Sequence, residues 1–257
     1  MGAGESATKK FGPSADVLFP QAKGPALMVC EHASNAVPEA LNRLGLGRDV
    51  LDSHAAWDPG ALGLAREMAR RLDAALVAAR FSRLVYDCNR PPEAPGAVLA
   101  KSEVYDIPGN ANLSAAARAA RVDHVYRPFR DRLTHEIATR APQALVTVHS
   151  FTPVYCGQRR SVEIGILHGQ DDRLAMETIA AARGQTDHIL RLNEPYGPED
   201  GVAHTLDVHG AANGIPSVMI EVRNDLIADG DAQTRMATLL SPWVGSAIAR
   251  LASEAAR

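Results

Sequence analysis

The apolar run Ala26–Cys30 stops abruptly at Glu31, His32, Ser34 and Asn35. A short run bounded in this way reads as a buried strand whose C-terminal end opens into a polar loop. Asp58 then precedes Pro59, the pairing of an N-cap with a proline at the first helical position. Leu62, Ala65, Met68, Ala69, Leu72 and Leu76 recur behind it at helical spacing and predict an amphipathic helix. Residues 84–87 predict a second short strand, closed by Cys88, Asn89, Arg90, Pro91 and Pro92. From Ser114 to about Arg140 the pattern is helical, with Val125, Phe129, Leu133 and Ile137 on one stripe. Pro128 lies inside it and predicts a kink or a split. Residues 144–148 predict a strand ending at His149, and residues 162–167 another ending at His168. A helix over 171–183, a strand over 218–222 carrying Glu221 and Arg223, and a closing helix over 231–251 complete the pattern.

Strands alternating with helices predict an α/β fold, a three-layer sandwich with a largely parallel sheet. In open sheets of this kind ligands bind beyond the carboxyl ends of the strands. Glu31 with His32, Asn89 with Arg90, and His149 with Ser150 all fall at such ends. Residues 1–22, aperiodic in Gly, Ser, Lys and Pro, are expected to be a loosely ordered arm on a single domain over 23–257.

Composition narrows the function without naming it. With 46% hydrophobic and 22% charged residues the chain can build a packed core, and its formal charge of -3 offers no basic footprint for nucleic acid. Cys30, Cys88 and Cys156 are odd in number and lack a C-x-x-C pairing, so buried reduced thiols are expected. Residues 1–10 carry no apolar segment, and no stretch of about 18 apolar residues occurs anywhere. The expectation is a cytoplasmic protein, monomer or small homo-oligomer, whose partner is a small molecule and neither nucleic acid nor membrane.

His32 and His149 are the leading metal-ligand candidates, since neutral imidazole is a common zinc ligand and a catalytic site needs about three protein ligands plus water. Asp58 is as readily a helix cap as a third ligand. Glu221 follows Val218, Met219 and Ile220 in an apolar strand, where a carboxylate is costly unless paired or used. Arg223 at i+2 is one such partner, and action on a metal-activated water as general base is the other reading. Arg90, Arg83 and Arg223 supply forked donors matched to carboxylates, and Asn89 beside Arg90 either orients a substrate or stabilises a turn.

These residues sit in motifs that resemble the N-formylglutamate amidohydrolase family. The segments are Glu31-His32-Ala33-Ser34-Asn35, Trp57-Asp58-Pro59-Gly60-Ala61, Ser82-Arg83-Leu84 with Asp87-Cys88-Asn89-Arg90-Pro91, Val148-His149-Ser150-Phe151, Glu163-Ile164-Gly165-Ile166-Leu167, and Ile220-Glu221-Val222-Arg223-Asn224-Asp225-Leu226. The resemblance implies a phosphorylase/hydrolase-like α/β/α fold, related to zinc carboxypeptidases and to the aspartoacylase and succinylglutamate desuccinylase group. It also implies release of formate from N-formyl-L-glutamate, a step in histidine degradation. Carried over residue by residue, it makes His149 the later histidine ligand, Glu221 the catalytic glutamate, and Asn89 with Arg90 the substrate-carboxylate pair. Those relatives open with H-x-x-E, both residues on zinc, whereas here the position three after His32 is Asn35. Asp58 is then the first choice for second ligand of one zinc ion, with Asn35 and Glu31 behind it. Arg83, Arg223, His209 and Ser150 are further substrate-site candidates, with Tyr196 and His204 beside them. A deacylase of another N-acyl amino acid is the nearest alternative, and a metal-free module binding an acidic metabolite is the next. Val148-His149-Ser150-Phe151-Thr152 lacks the glycines of a serine-hydrolase elbow, and no G-x-G-x-x-G follows a predicted strand.

Overall fold

The computed structural model describes residues 11–257. Its strands are β1 (Ala15–Leu18), β2 (Ala26–Cys30), β3 (Ala75–Ala79), β4 (Lys101–Ser102), β5 (Tyr105–Asp106), β6 (Ala144–Phe151), β7 (Val154–Tyr155), β8 (Gln158–Arg159), β9 (Ile164–Leu167), β10 (Leu190–Leu192) and β11 (Ser217–Arg223). The α-helices are α1 (Arg48–Asp52), α2 (Ala61–Arg71), α3 (Ala115–Arg121), α4 (Arg127–Arg140), α5 (Arg173–Ala182) and α6 (Gly230–Ala255). Seven strands form one sheet in the order β1-β3-β2-β6-β11-β9-β10. Its central strands β3, β2, β6 and β11 are parallel, while β1 and the β9-β10 pair join antiparallel. This is the expected three-layer, mostly parallel mixed sheet. No helix among the described residues is long and apolar enough to cross a membrane.

The pleat divides each strand between two cores, because alternate side chains leave opposite faces. Met28, Val146, Val148, Ile220 and Val222 pack under α2, α5 and α6. Leu27, Val29 and Leu145 face the other layer, with Phe129 and Leu133 of α4 and the buried Leu84, Val85 and Tyr86. Glu31, His149 and Glu221 share the parity of this second face, so the chemistry gathers on one side of the sheet.

Several expectations are corrected. Residues 15–18, assigned to the arm, form β1 and pair with β3; the part of that expectation covering 1–10 lies outside the described residues. Leu76 belongs to β3 rather than to the helical stripe: the chain leaves α2 through Asp73 at φ 48, and the alanine-rich 75–79 run fits either period. Residues 84–87 are hydrogen-bonded turns without a strand partner, with Val85 N–H donating to Ser82 O at 2.9 Å. Pro128 does split its helix, standing in the first turn of α4 behind a π-turn at Val122–Tyr126. Cys30 and Cys88 are buried thiols, but Cys156 is exposed.

Candidate active site

At the carboxyl ends of β2, β6 and β11 a cavity of about 410 Å³ opens. Into it project His32, just beyond β2, Asp58, from the turn before α2, and His149, from β6. His32 Nδ1 lies 3.2 Å from Asp58 Oδ2, His149 Nδ1 lies 2.9 Å from the same oxygen, and the two Nδ1 atoms are 3.1 Å apart. All three residues are buried. Such separations are close to those of ligands around one tetrahedral ion bound at roughly 2.0–2.2 Å, and two imidazoles with one carboxylate are a zinc-type donor set. The three atoms form a site able to hold a divalent cation.

Asp58 is not a helix cap. The N-cap position of α2 is Gly60, at φ 83, where an added Cβ would stand 2.4 Å from Ile227 O. With glycine making that left-handed turn, the Asp58 carboxylate is released toward the imidazoles while its carbonyl still accepts from Ala61 N–H at 3.1 Å. Of the other ligand choices, Asn35 donates to Asp52 Oδ1 at 3.1 Å, away from the cluster. Glu31 lies on the far side of His149.

Two carboxylates stand behind the imidazoles, and the sequence reading missed this role for both. His32 Nε2–H donates to Asp87 Oδ1 at 2.7 Å, and Glu31 Oε2 lies 3.1 Å from His149 Nε2 at ion-pair distance but without hydrogen-bond alignment. Each ring is thereby turned so that Nδ1 faces the cluster. Burial and Arg83 oppose protonation of His32, yet Asp87 and Asp58 outweigh them and raise its pKa. Burial likewise opposes a proton on His149, and Glu31 with Asp58 lifts that group well above the ordinary imidazole value. The available signal was position alone, since Glu31 directly precedes His32 and Asp87 opens the Asp87-Cys88-Asn89-Arg90 turn.

Glu221 is the register partner of His149 across the parallel β6-β11 pair and lines the cavity. Its Oε2 is shielded from solvent and has no hydrogen-bond partner among the described residues, and burial pushes its pKa up to about 7. Tyr196, also in the wall, is pushed up to about 12 by burial, with Glu221 adding to the effect, so its phenol keeps its proton. Ser150 Oγ donates to Pro59 O at 2.8 Å, closing the bottom of the site.

The arginines divide. Arg83 donates to Asp58 Oδ1 at 3.4 Å and to Asp87 Oδ2 at 3.1 Å, while Arg90 lines the cavity and donates to Asp200 O at 2.6 Å. Arg223 is neither the partner of Glu221 nor part of the cavity wall. It lies one strand repeat further on, about 6.6 Å at two residues, and its guanidinium donates to Asp225 Oδ1 at 2.8 Å and Glu163 Oε1 at 3.3 Å. Asn89 lines the cavity, but its amide is engaged at both ends: Nδ2 donates to Val202 O, and Oδ1 accepts from Thr205 N–H at 2.9 Å. It ties the 202–205 segment to the site floor. His209 is buried in a π-turn outside the cavity wall, and His204 pairs with the Tyr126 hydroxyl at 2.8 Å.

A model of the N-formylglutamate amidohydrolase family matches residues 24–228. The chain is 51% identical to a gene product of Agrobacterium tumefaciens of known crystal structure, with a TM-score of 0.90 over 96% of this chain and 98% of that one. It is also similar in fold to N-formylglutamate amidohydrolase from Ralstonia eutropha, at 18% identity and a TM-score of 0.58, over 95% of this chain and 98% of that one. No curated protein matches the chain.

Proposed function

The chain belongs to the N-formylglutamate amidohydrolase family, hydrolases acting on linear amides, and from that membership and the site we propose a metal-dependent cleavage of the N-acyl amide of a small carboxylate-bearing amino-acid derivative. N-Formyl-L-glutamate is the first substrate to test. The observation carrying this reading is the trio of His32 Nδ1, Asp58 Oδ2 and His149 Nδ1 within 3.2 Å of one another, in one cavity with the unpartnered Glu221 carboxylate.

One zinc ion held by His32, Asp58 and His149 would polarise the scissile carbonyl and acidify a water. Asp87 and Glu31 keep the two imidazoles aimed at that ion. Glu221 accepts a proton from the attacking water and delivers it to the departing nitrogen, and the second proton of the water follows to the amine, so that water and amide become a carboxylate and an ammonium. Arg90 binds the substrate carboxylate, with Arg83 behind it fixing Asp58 and Asp87. Burial of Glu221 strengthens its electrostatic interaction with these neighbours.

The test is release of amine and carboxylate from N-formylglutamate and related N-acyl amino acids by zinc-loaded protein, beside metal analysis of wild type and His149→Ala. Activity tied to one bound ion, with both lost in His149→Ala, is expected. Protein that binds no divalent ion, or a His149→Ala variant with wild-type turnover, would remove the metal from the mechanism.

A further inference from the structure

Two small hairpins stand at the mouth of the cavity. The β4-β5 hairpin brings Ser102 and Glu103 into its wall and carries Val104, 75% exposed, at its tip; the β7-β8 hairpin brings in Tyr155, 41% exposed, beside Val154 at 47%. Ser102, Glu103 and Tyr155 line the same cavity, so the hairpins share one opening. Leu99, in the same wall, is 40% exposed. Isolated apolar side chains on a surface need no explanation, but a group of them around one cavity marks a binding rim.

The aromatic part of this rim is held in place. The Arg160 guanidinium lies 5.5 Å from the Phe151 ring, 4.6 Å from Tyr155 and 4.8 Å from Tyr196, and all three rings line the cavity. Cation–π contact with three rings holds this aromatic wall together. At about 410 Å³ the cavity is in the range that encloses drug-sized ligands.

The charges point the same way. Arg223 is turned outside the cavity, and both arginines in its wall are engaged: Arg83 by Asp58 and Asp87, and Arg90 by Asp200 O with Asp87 Oδ2 farther off at 3.9 Å, which makes Arg90 the less neutralised guanidinium for one carboxylate. Glu103, 3.0 Å from His54, adds an acidic group to the cavity wall at the mouth, which disfavours a second carboxylate there. Lys101 gives it no fixed partner: its side chain is 62% exposed and 3.9 Å from Asp106.

We propose that the mouth is a subsite for an apolar substituent, so that the preferred substrate is an N-acyl amino acid with one carboxylate, held at Arg90, and a bulky apolar group resting on the Phe151-Tyr155-Tyr196 wall and the Val104 hairpin. This rests on the amidohydrolase reading above and narrows its substrate. The apolar group comes either from the acyl chain or from the amino-acid side chain, and two ligand series separate these sources.

Binding is measured by calorimetry on zinc-loaded Glu221→Gln protein. One series holds the formyl group and varies the amino acid through glutamate, leucine and phenylalanine; the other holds alanine and varies the acyl group through formyl, hexanoyl and benzoyl. Wild-type KM values supply the same comparison should the variant not fold. At least one series is expected to favour the apolar member by ~10-fold over N-formylglutamate, and Leu99→Ser with Val104→Ser to reduce that ratio by about 3-fold. General damage would weaken all ligands alike and leave the ratio unchanged. N-Formylglutamate binding as well as the best apolar ligand, no binding in either series, or a ratio indifferent to the rim substitutions would overturn the proposal. Tight apolar binding without amide cleavage by wild type would instead sink the amidohydrolase reading and keep the subsite.

Discussion

Glu221 and His149 stand opposite one another as register partners of two parallel strands, and both leave the sheet on the face that holds Glu31. That pairing places a buried carboxylate beside an imidazole of the candidate cation site without any loop having to position it. Its geometry is therefore as rigid as the sheet.

Replacing Glu221 by glutamine keeps shape and removes the proton acceptor. Turnover is expected to fall by ~10²–10⁴-fold while the zinc content stays that of wild type. Steady-state kinetics with elemental analysis check this, and near-normal kcat would take Glu221 out of the chemistry.

Asp87 and Glu31 touch the imidazoles of His32 and His149, so on the proposed mechanism they would act on a bound zinc only through them. Asp87→Ala and Glu31→Gln are each expected to weaken zinc binding by about 10–100-fold. Competition against a chromophoric chelator measures it; unaltered affinity would make these carboxylates merely structural.

Binding to the folded state alone stabilises it by mass action, about 2.7 kcal/mol at a hundredfold excess over Kd. Thermal unfolding is expected at a higher Tm with zinc than after chelation, and the shift should vanish in Asp58→Ala. A zinc-induced rise that survives this substitution would place the ion elsewhere.

Gly60 adopts φ 83 against Ile227 O, so alanine there strains the turn that aims Asp58. Gly60→Ala is expected to cost at least ~1 kcal/mol and to weaken zinc binding as well. Denaturant unfolding and zinc titration together test it, since loss of stability with intact affinity would separate the turn from the site.

His209 is buried outside the cavity, and burial pushes its pKa down to about 4. The unfolded chain takes up this proton near 6.5 and the folded one resists it, so stability falls as pH drops from about 6.5 toward 4, by up to ~3 kcal/mol. His209→Asn is expected to flatten that part of the stability profile relative to wild type. Parallel profiles for the two proteins would show that His209 does not contribute.

The strands β2, β6, β9 and β11, the helices α2, α4, α5 and α6 between and after them, the clustering of Glu31, His32, His149 and Glu221 at strand ends, and the candidate status of Asp58 were legible in the chain, because period and abrupt polar stops are local properties. The directions of side chains were not. Asp58 reads as a cap until Gly60 is seen to make the left-handed turn. Arg223 shares the parity of Glu221 yet turns to Glu163, 60 residues away, and Asn89 is engaged by Val202, 113 residues away. Which donor meets which acceptor across such distances depends on how the layers pack, and no window of sequence contains both partners. The same applies to β1 and β3: their residues are alanine-rich or isolated, and only pairing with a neighbouring strand decides that they extend rather than coil.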